Sequence, residues 1–116
     1  GGTNLHAIDR RHATCELGIA ILDPARRGKG LGTEAVVLVT DYAIHALGMH
    51  NVQLRVLATN HAGIRSYEKA GFREYGRRRE AILHNGKRLD MVAMDVIASE
   101  WESPVMQRVM EPDEPR

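Results

Sequence analysis

The sequence predicts an α/β domain in which helices pack on a mixed sheet. Five short segments with alternating or continuous apolar residues indicate strands, and two segments with apolar residues three and four positions apart indicate helices. The order strand, strand, helix, strand, helix, hairpin places one helix between the second and third strands. We therefore expect these two strands to be parallel neighbours joined by a right-handed crossover.

Length and composition fit one soluble domain, because the chain has 116 residues, of which 43% are hydrophobic and 27% are charged. The net charge of +1 argues against a nucleic-acid partner, and no apolar run approaches the roughly 20 residues of a membrane span. The one cysteine, Cys15, cannot form an internal disulfide, which fits a cytoplasmic protein. These features exclude a secreted disulfide scaffold, a membrane protein and a histone-like binder.

Two strands and a basic loop are predicted in the first part of the chain. Gly2–Ile8 and Cys15–Leu22 have the composition of strands, and the Asp-Pro pair at positions 23 and 24 ends the second one. Residues 25–32 follow as a basic, glycine-rich loop. The helical spacing of apolar residues begins at Thr33, and Gly48 ends that helix.

A third strand and a second helix follow. Asn51–Ala58 alternates like a half-buried strand, with its apolar positions on one face. Asn60 is a suitable N-cap for the next helix, and Gly71 is its expected C′ residue.

A hairpin is predicted near the end of the domain. The Asn-Gly pair at positions 85 and 86 lies between Arg78–His84 and Arg88–Ile97 and is a strong signal for a tight turn. Residues 103–116 hold three of the four prolines and are expected to form a loose tail beyond a domain of residues 1–102. The chain opens on two glycines without a methionine, almost directly in strand-like sequence, so we expect a fragment.

The loop before the first helix has glycines at alternate positions, Gly28, Gly30 and Gly32. Their backbone can turn tightly and approach a ligand, and a helix N-terminus attracts phosphate groups. Basic side chains at positions 26, 27 and 29 add positive charge. The spacing matches neither a Walker loop nor a dinucleotide fingerprint, and a flexible turn with solvated arginines is the alternative interpretation.

Three ordered motifs resemble the GNAT N-acetyltransferase superfamily. The segment from Arg27 to Gly32 is similar to its Arg/Gln-x-x-Gly-x-Gly/Ala pyrophosphate loop, and residues 16–24 resemble its central strand. Residues 60–72 are similar to its Asn-x-x-Ala…Tyr-Glu-Lys-x-Gly-Phe signature. The detail is closest to the branch that acetylates ribosomal-protein N-termini and polyamines. The resemblance implies a GNAT-type fold: a mixed, largely antiparallel sheet with splayed parallel central strands and flanking helices, truncated at the N-terminus.

The resemblance also implies acetyl-CoA as cosubstrate, bound by strand addition at the second strand and by the basic loop. The implied cofactor-binding residues are Ala20, Ile21, Leu22, Arg27, Gly28, Lys29, Gly30, Leu31, Gly32, Thr33 and Asn60.

Two residues carry the implied chemistry. Tyr67 is the expected general acid that protonates the leaving thiolate, since a phenol keeps its proton at neutral pH. Glu16 is the expected general base for the amine, and a backbone N–H of the central strand is expected to hold the oxyanion. The alternatives are that Tyr67 only packs on the sheet, and that Glu16 faces solvent or pairs with Arg55.

The resemblance implies transfer of acetyl to a primary amine: a protein N-terminus, a polyamine or another small amine. The alternative function is a non-catalytic acyl-CoA-binding or interaction module. No metal-binding spacing of histidines or cysteines is present in the sequence, and the arginine run at positions 77–79 is expected to be a solvated strand end. The strand at Gly2–Ile8 is expected to form a sheet edge, which predicts a homodimer or larger assembly.

Overall fold

Five strands form one mixed sheet in the computed structural model, which describes residues 2–20 and 31–102. The order across the sheet is β1-β2-β3-β5-β4. β2 and β3 are parallel and the other neighbouring strands are antiparallel. The strands are β1 (Gly2–Asp9), β2 (Thr14–Ala20), β3 (Asn51–Leu57), β4 (Arg73–His84) and β5 (Lys87–Ile97). The predicted mixed, largely antiparallel sheet is thus confirmed, including the parallel pair around the first helix.

The first helix, α1 (Leu31–Asp41), begins two residues before the predicted start at Thr33. The glycine at position 32 therefore lies inside the first turn of the helix. Glu34 lies in the same turn, where its negative charge interacts favourably with the positive end of the helix dipole. The predicted single helix is also not uniform, because a π-helical segment (Tyr42–Ala46) follows α1. Gly48 then adopts a left-handed φ of +74°, as expected for a residue that ends a helix.

The second helix, α2 (His61–Ala70), has both of its predicted caps. The Asn60 side chain accepts a hydrogen bond from the Gly63 N–H at 3.0 Å. Gly71 follows the helix with φ of +114° and donates its N–H to the Glu68 carbonyl at 3.0 Å. In the part of the chain that the structure describes, neither helix is long and apolar enough to cross a membrane.

The hairpin turn lies where the sequence predicts it. Asn85 and Gly86 have φ of +52° and +78°, the two positive values that a type I′ turn requires. β4, however, begins at Arg73 and not at Arg78. The earlier part was missed because the register of β4 against β5 shifts between Glu74 and Gly76 and again between Arg78 and Ile82. Each bulge interrupts the alternation that marks a strand in a sequence.

The core lies on one face of the sheet, beneath both described helices. The buried residues of the cluster are Cys15, Leu17, Val36, Ala43, Ile44, Met49, Val52, Leu54, Val56, Tyr67, Phe72, Val92, Met94 and Val96. The predicted inward face of β3 is thereby confirmed. Residues between these positions on β2, β3 and β5 point to the opposite face, which we call the helix-free face because no helix of the described residues packs on it.

The end of the described chain is tied to the helices. A short 3₁₀ turn (Ala98–Glu100) follows β5, and the Trp101 indole then donates to a carboxylate oxygen of Asp41 at 2.9 Å. Asp41 is 1% exposed, and the Trp101 ring lies beside Gly71. Trp101 therefore packs with the domain, whereas the predicted tail, residues 103–116, lies outside the described residues. The division at residue 102 stays a prediction.

Candidate active site

The two parallel strands pair over only three residues and then separate. The paired positions are Thr14 with Asn51, Cys15 with Val52 and Glu16 with Gln53. Beyond these pairs β2 continues as a strand to residue 20 and β3 to residue 57, each paired only on its outer side. We call the gap between residues 17–20 of β2 and residues 54–57 of β3 the wedge.

Among the described strands, none pairs with the main-chain groups on the two edges of the wedge. A peptide-like ligand that enters in an extended conformation can satisfy such groups, as an added strand does. Ala20, a predicted cofactor contact, lies at the open end of β2. The arrangement therefore suits a long, amide-containing ligand, and it is the splayed pair of strands that the sequence motifs predict.

Most of the predicted phosphate loop lies outside the described residues. These loop residues are Arg27, Gly28, Lys29 and Gly30, and the predicted strand-edge contacts Ile21 and Leu22 lie outside the described residues too. The predicted contacts that follow the loop, Leu31, Gly32 and Thr33, form the first turn of α1. The first turn of a helix has unpaired N–H donors, which supports this position for a phosphate group.

Thr33 also connects the two helices. Its hydroxyl is hydrogen-bonded to the hydroxyl of Ser66 on α2, the residue directly before Tyr67. This hydrogen bond therefore links α1, which begins at the predicted phosphate loop, to α2, which carries the predicted general acid. The sequence assigned no such role to Ser66, because contact between α1 and α2 depends on how both pack on the sheet.

Tyr67 lies in the core and is 6% exposed. It belongs to the same buried cluster as Leu17 on one edge of the wedge and Leu54 on the other. Burial raises the pKa of the Tyr67 phenol, so the O–H keeps its proton throughout the neutral range. The predicted packing role is thus present in the structure, and the protonated phenol has the form that a general acid needs. The catalytic role stays a prediction.

Asn60 has the capping role described above, with its side-chain oxygen on the Gly63 N–H. A Cβ on Gly63 would lie 2.6 Å from the Asn60 amide nitrogen, so a larger residue there would require the Asn60 side chain to shift. The contact between Asn60 and the pantetheine arm, implied by the family resemblance, stays a prediction.

Glu16 is the last paired residue of β2 before the wedge opens, and it points to the helix-free face. Its carboxylate accepts a hydrogen bond from Arg55 Nε at 2.7 Å and lies 3.9 Å from His6 Nε2. The side chain of Glu16 is only 12% exposed, whereas Arg55 is 54% exposed. The pairing of Glu16 with Arg55 is therefore real, and it holds the carboxylate at the narrow end of the wedge. Its role as a base stays a prediction.

Further polar side chains near Glu16 on the helix-free face were not predicted. The Tyr75 hydroxyl donates to the side-chain oxygen of Gln53, the residue paired with Glu16. The pKa of the Tyr75 phenol is raised, chiefly by burial and then by the carboxylates of Asp95 and Glu16. Strand alternation could have placed Gln53 beside Glu16 once the parallel register was known. It could not have placed Tyr75, which lies in a bulge of β4.

Within residues 2–20 and 31–102, no group of three or more His, Cys, Asp and Glu side chains is arranged to hold a metal ion. Cys15 is 2% exposed, and burial raises the pKa of its thiol. A buried, protonated thiol is a poor nucleophile. The wedge with Tyr67 and Glu16 is therefore the best-supported site of the described residues.

Known proteins resemble this chain in both sequence and structure. The probable N-acetyltransferase YjcK of Bacillus subtilis (strain 168) is 37% identical over 93 residues, which are 80% of this chain and 44% of that protein. A crystal structure of spermidine N-acetyltransferase from Vibrio cholerae in complex with CoA and spermine superposes with a TM-score of 0.77 at 30% identity, covering 84% of this chain and 57% of that one. A dodecameric structure of the same enzyme gives a TM-score of 0.76 at 26% identity, and the match covers 97% of this chain and 60% of that one.

The chain thus spans about half the length of these relatives. The sequence model of the acetyltransferase (GNAT) domain matches residues 1–73, which include β1, β2, the glycine-rich loop, α1, β3 and α2. The match covers the elements that form the wedge and carry Tyr67 and Glu16. It confirms the resemblance seen in the motifs, and the chain belongs to the GNAT acetyltransferase family.

Proposed function

We propose that this chain is the acetyl-CoA-binding part of an N-acetyltransferase that moves an acetyl group to a primary amine. The observation that carries the proposal is the wedge between β2 and β3, with buried Tyr67 in the same cluster as side chains from both of its edges. The family supports the same function, because the relatives described above are named N-acetyltransferases.

The wedge supports a binding mode for the pantetheine arm. Its amides would pair with main-chain groups of Ala20, at the end of β2, and of the following Ile21 and Leu22, and Asn60 would contact the arm from the start of α2. The pyrophosphate would lie on the first turn of α1, at Leu31 to Thr33, and against the loop with Arg27, Lys29 and the alternating glycines.

The proposed chemistry uses Glu16 and Tyr67. Glu16, acting through a water molecule, takes a proton from the incoming ammonium, and the free amine nitrogen then attacks the thioester carbonyl carbon. A C–N bond forms, the C–S bond breaks, and Tyr67 donates its proton to the departing sulfur. The second proton lost by the nitrogen and the proton held by Glu16 pass to solvent, and the phenolate regains one proton from solvent, so both residues return to their starting forms and one proton is released overall.

The test measures CoA binding and thiol release separately. Gly30→Val places a branched side chain where the backbone must approach the pyrophosphate, and we expect CoA affinity to fall at least tenfold, about 1.4 kcal/mol. Gly76→Val is the matched control, because a Cβ on Gly76 meets nothing within 4 Å and the residue lies in β4. Unchanged CoA affinity in folded Gly30→Val protein would overturn the pyrophosphate assignment.

Thiol release from acetyl-CoA with a mixed panel of primary amines tests the transfer itself. Release that depends on the amine supports the enzyme. CoA binding without release from any amine would instead favour the non-catalytic acyl-CoA-binding module.

The proposal includes a homodimer or larger assembly and a cytoplasmic location. Among the described strands, β1 (Gly2–Asp9) is an outer strand of the sheet, paired on one side with β2. An unpaired strand edge invites pairing with another chain, and the solved relative is dodecameric. Cys15, buried and without a disulfide, agrees with a reducing compartment. Light scattering at micromolar concentration tests the assembly, and a monomer would contradict it.

A further inference from the structure

A cavity of about 200 Å³ opens on the helix-free face beside the wedge. Its lining residues are Arg55, Arg78, Ala81, Ile82, Met91 and Ala93. Arg55 connects the cavity to the candidate active site, because the same guanidinium holds Glu16. The volume is below the roughly 300 Å³ at which pockets begin to enclose whole ligands, so the cavity suits one end of a larger molecule.

A bulge in β4 builds this cavity. Arg78 pairs with Met91 and Ile82 with Leu89, so residues 79–81 of β4 stand opposite the single residue Asp90 of β5. Asp90 braces the bulge, since its carboxylate accepts the Glu80 N–H at 2.8 Å. Glu80 itself has a left-handed φ of +50°, a conformation that costs energy in a residue other than glycine. Bulges of this kind often redirect side chains beside a functional site.

The lining of the cavity combines four apolar side chains with two arginines, of which Arg55 is paired with Glu16. Its six lining residues include two arginines and no carboxylate. Arg55 uses Nε for Glu16, and a guanidinium has four further N–H donors on its terminal nitrogens. Arg78 forms no hydrogen bond or ion pair with another side chain of the described residues, whereas its neighbour Arg77 lies 3.6 Å from Asp90. Arg78 is thus available to an outside anion.

From this charge distribution we infer that the acceptor is a primary amine that carries a carboxylate and an apolar group, such as an acidic peptide N-terminus, and not a polyamine. The inference rests on the proposed function and names its acceptor class. Guanidinium groups bind carboxylates with two parallel hydrogen bonds, and Ile82 and Met91 offer apolar contact beside them. A polyamine would instead bring ammonium groups towards Arg78, and like charges across an interface select against a partner.

The test compares peptide acceptors that differ in the charge of one side chain. The amides Leu-Asp-NH2, Leu-Asn-NH2 and Leu-Arg-NH2 each have the same single primary amine and the same leucine side chain, while spermidine represents polyamines and free leucine represents amino acids. We expect the Asp peptide to exceed the Asn peptide about tenfold in kcat/KM for thiol release, with the Arg peptide and spermidine lower still. Equal rates for the Asp and Asn peptides, or a preference for spermidine, would overturn the inference.

Two neighbouring arginines provide a matched pair of variants. Arg78→Ala is expected to reduce the preference for the Asp peptide to within twofold, and Arg78→Glu to reverse it in favour of the Arg peptide. Arg79→Ala removes the same charge one residue away, at a position that does not line the cavity, and should keep the wild-type preference. A loss of preference in Arg79→Ala equal to that in Arg78→Ala would show a general field effect and overturn the cavity assignment.

A separate binding measurement distinguishes this inference from the proposed function. If no amine releases thiol, the proposed transfer fails, and calorimetric titration of the protein with the same three peptides still tests the cavity. Tighter binding of the Asp peptide, lost in Arg78→Ala, would support a site for acidic peptides. Equal binding of all three peptides would overturn it.

Discussion

Replacing Tyr67 by phenylalanine removes one hydroxyl group and leaves the ring in place, which separates packing from chemistry. The ring is buried in the core cluster, so Tyr67→Phe should change the free energy of unfolding by less than about 1 kcal/mol. If the hydroxyl protonates the leaving sulfur, kcat should fall roughly 10²-fold, about 2.7 kcal/mol of activation free energy, with little change in CoA affinity. Tyr67→Ala should lose about 3 to 5 kcal/mol of stability, because it empties the site of the ring.

The pH dependence gives a second readout with a defined sign. Burial raises the pKa of Tyr67 above its ordinary value of 10.0, so at high pH the folded protein holds a proton that the unfolded chain has released. The contribution of Tyr67 to stability is therefore complete below pH 10 and declines as the pH rises through the folded pKa. Over the neutral range kcat should show no loss from ionisation of this phenol.

The assay follows thiol release under saturating amine, together with CoA titration and urea unfolding of each variant. Tyr42→Phe is the control, because Tyr42 is 53% exposed on the π-helical segment and should change none of the three quantities. A Tyr67→Phe protein with full kcat would refute the acid role and leave Tyr67 as a core residue. A fall in CoA affinity as large as the fall in kcat would also refute it, since the hydroxyl would then act in binding.

Three further predictions concern stability and are checked by urea unfolding. Gly86→Ala should lower the free energy of unfolding by about 1 kcal/mol, because Gly86 has φ of +78°. Gly76→Ala should lower it clearly less, because the surroundings of Gly76 are equally open and its backbone lies outside the left-handed region. Equal losses would contradict the assigned turn. Asn60→Ala removes the N-cap of α2 and should lower the free energy of unfolding by about 1 kcal/mol, whereas Asn60→Asp should keep most of that stability. The same loss in both variants would contradict the capping role. Trp101→Phe should lower the free energy of unfolding by about 1 to 3 kcal/mol, because it removes the indole N–H that donates to the buried Asp41. An unchanged free energy of unfolding would mean that this hydrogen bond is not formed in solution.

Local signals allowed much of the fold to be predicted from the sequence. The N-cap at Asn60 and the turn at Asn85 and Gly86 depend on backbone conformations that one or two residues determine, and both were predicted correctly. The parallel strands around α1 followed from the order of elements. Family motifs, and not periodicity, supplied the roles of Tyr67 and the cofactor-binding residues.

Features that depend on pairing across the sheet could not be predicted in the same way. The hydrogen bond from Arg55 to Glu16 was only one of two alternatives until the register of β2 on β3 was known. The start of β4 and the bulge opposite Asp90 were missed, because a bulge shifts the alternation that sequence patterns rely on. The cavity beside Arg78 is a product of that bulge, so no local pattern indicates it.

The short contact between β2 and β3 has a consequence for how the protein responds to its ligand. Three residue pairs join the β1–β2 half of the sheet to the β3–β5–β4 half, so amides facing the wedge should exchange with solvent deuterium quickly in the free protein. A ligand that bonds to both edges would slow this exchange and join the halves. Binding to the folded state alone also adds about 2.7 kcal/mol of stability at a ligand concentration of 100 Kd. Acetyl-CoA would then act as part of the sheet. The unfolding midpoint of this domain would rise with the fraction of the protein that has acetyl-CoA bound.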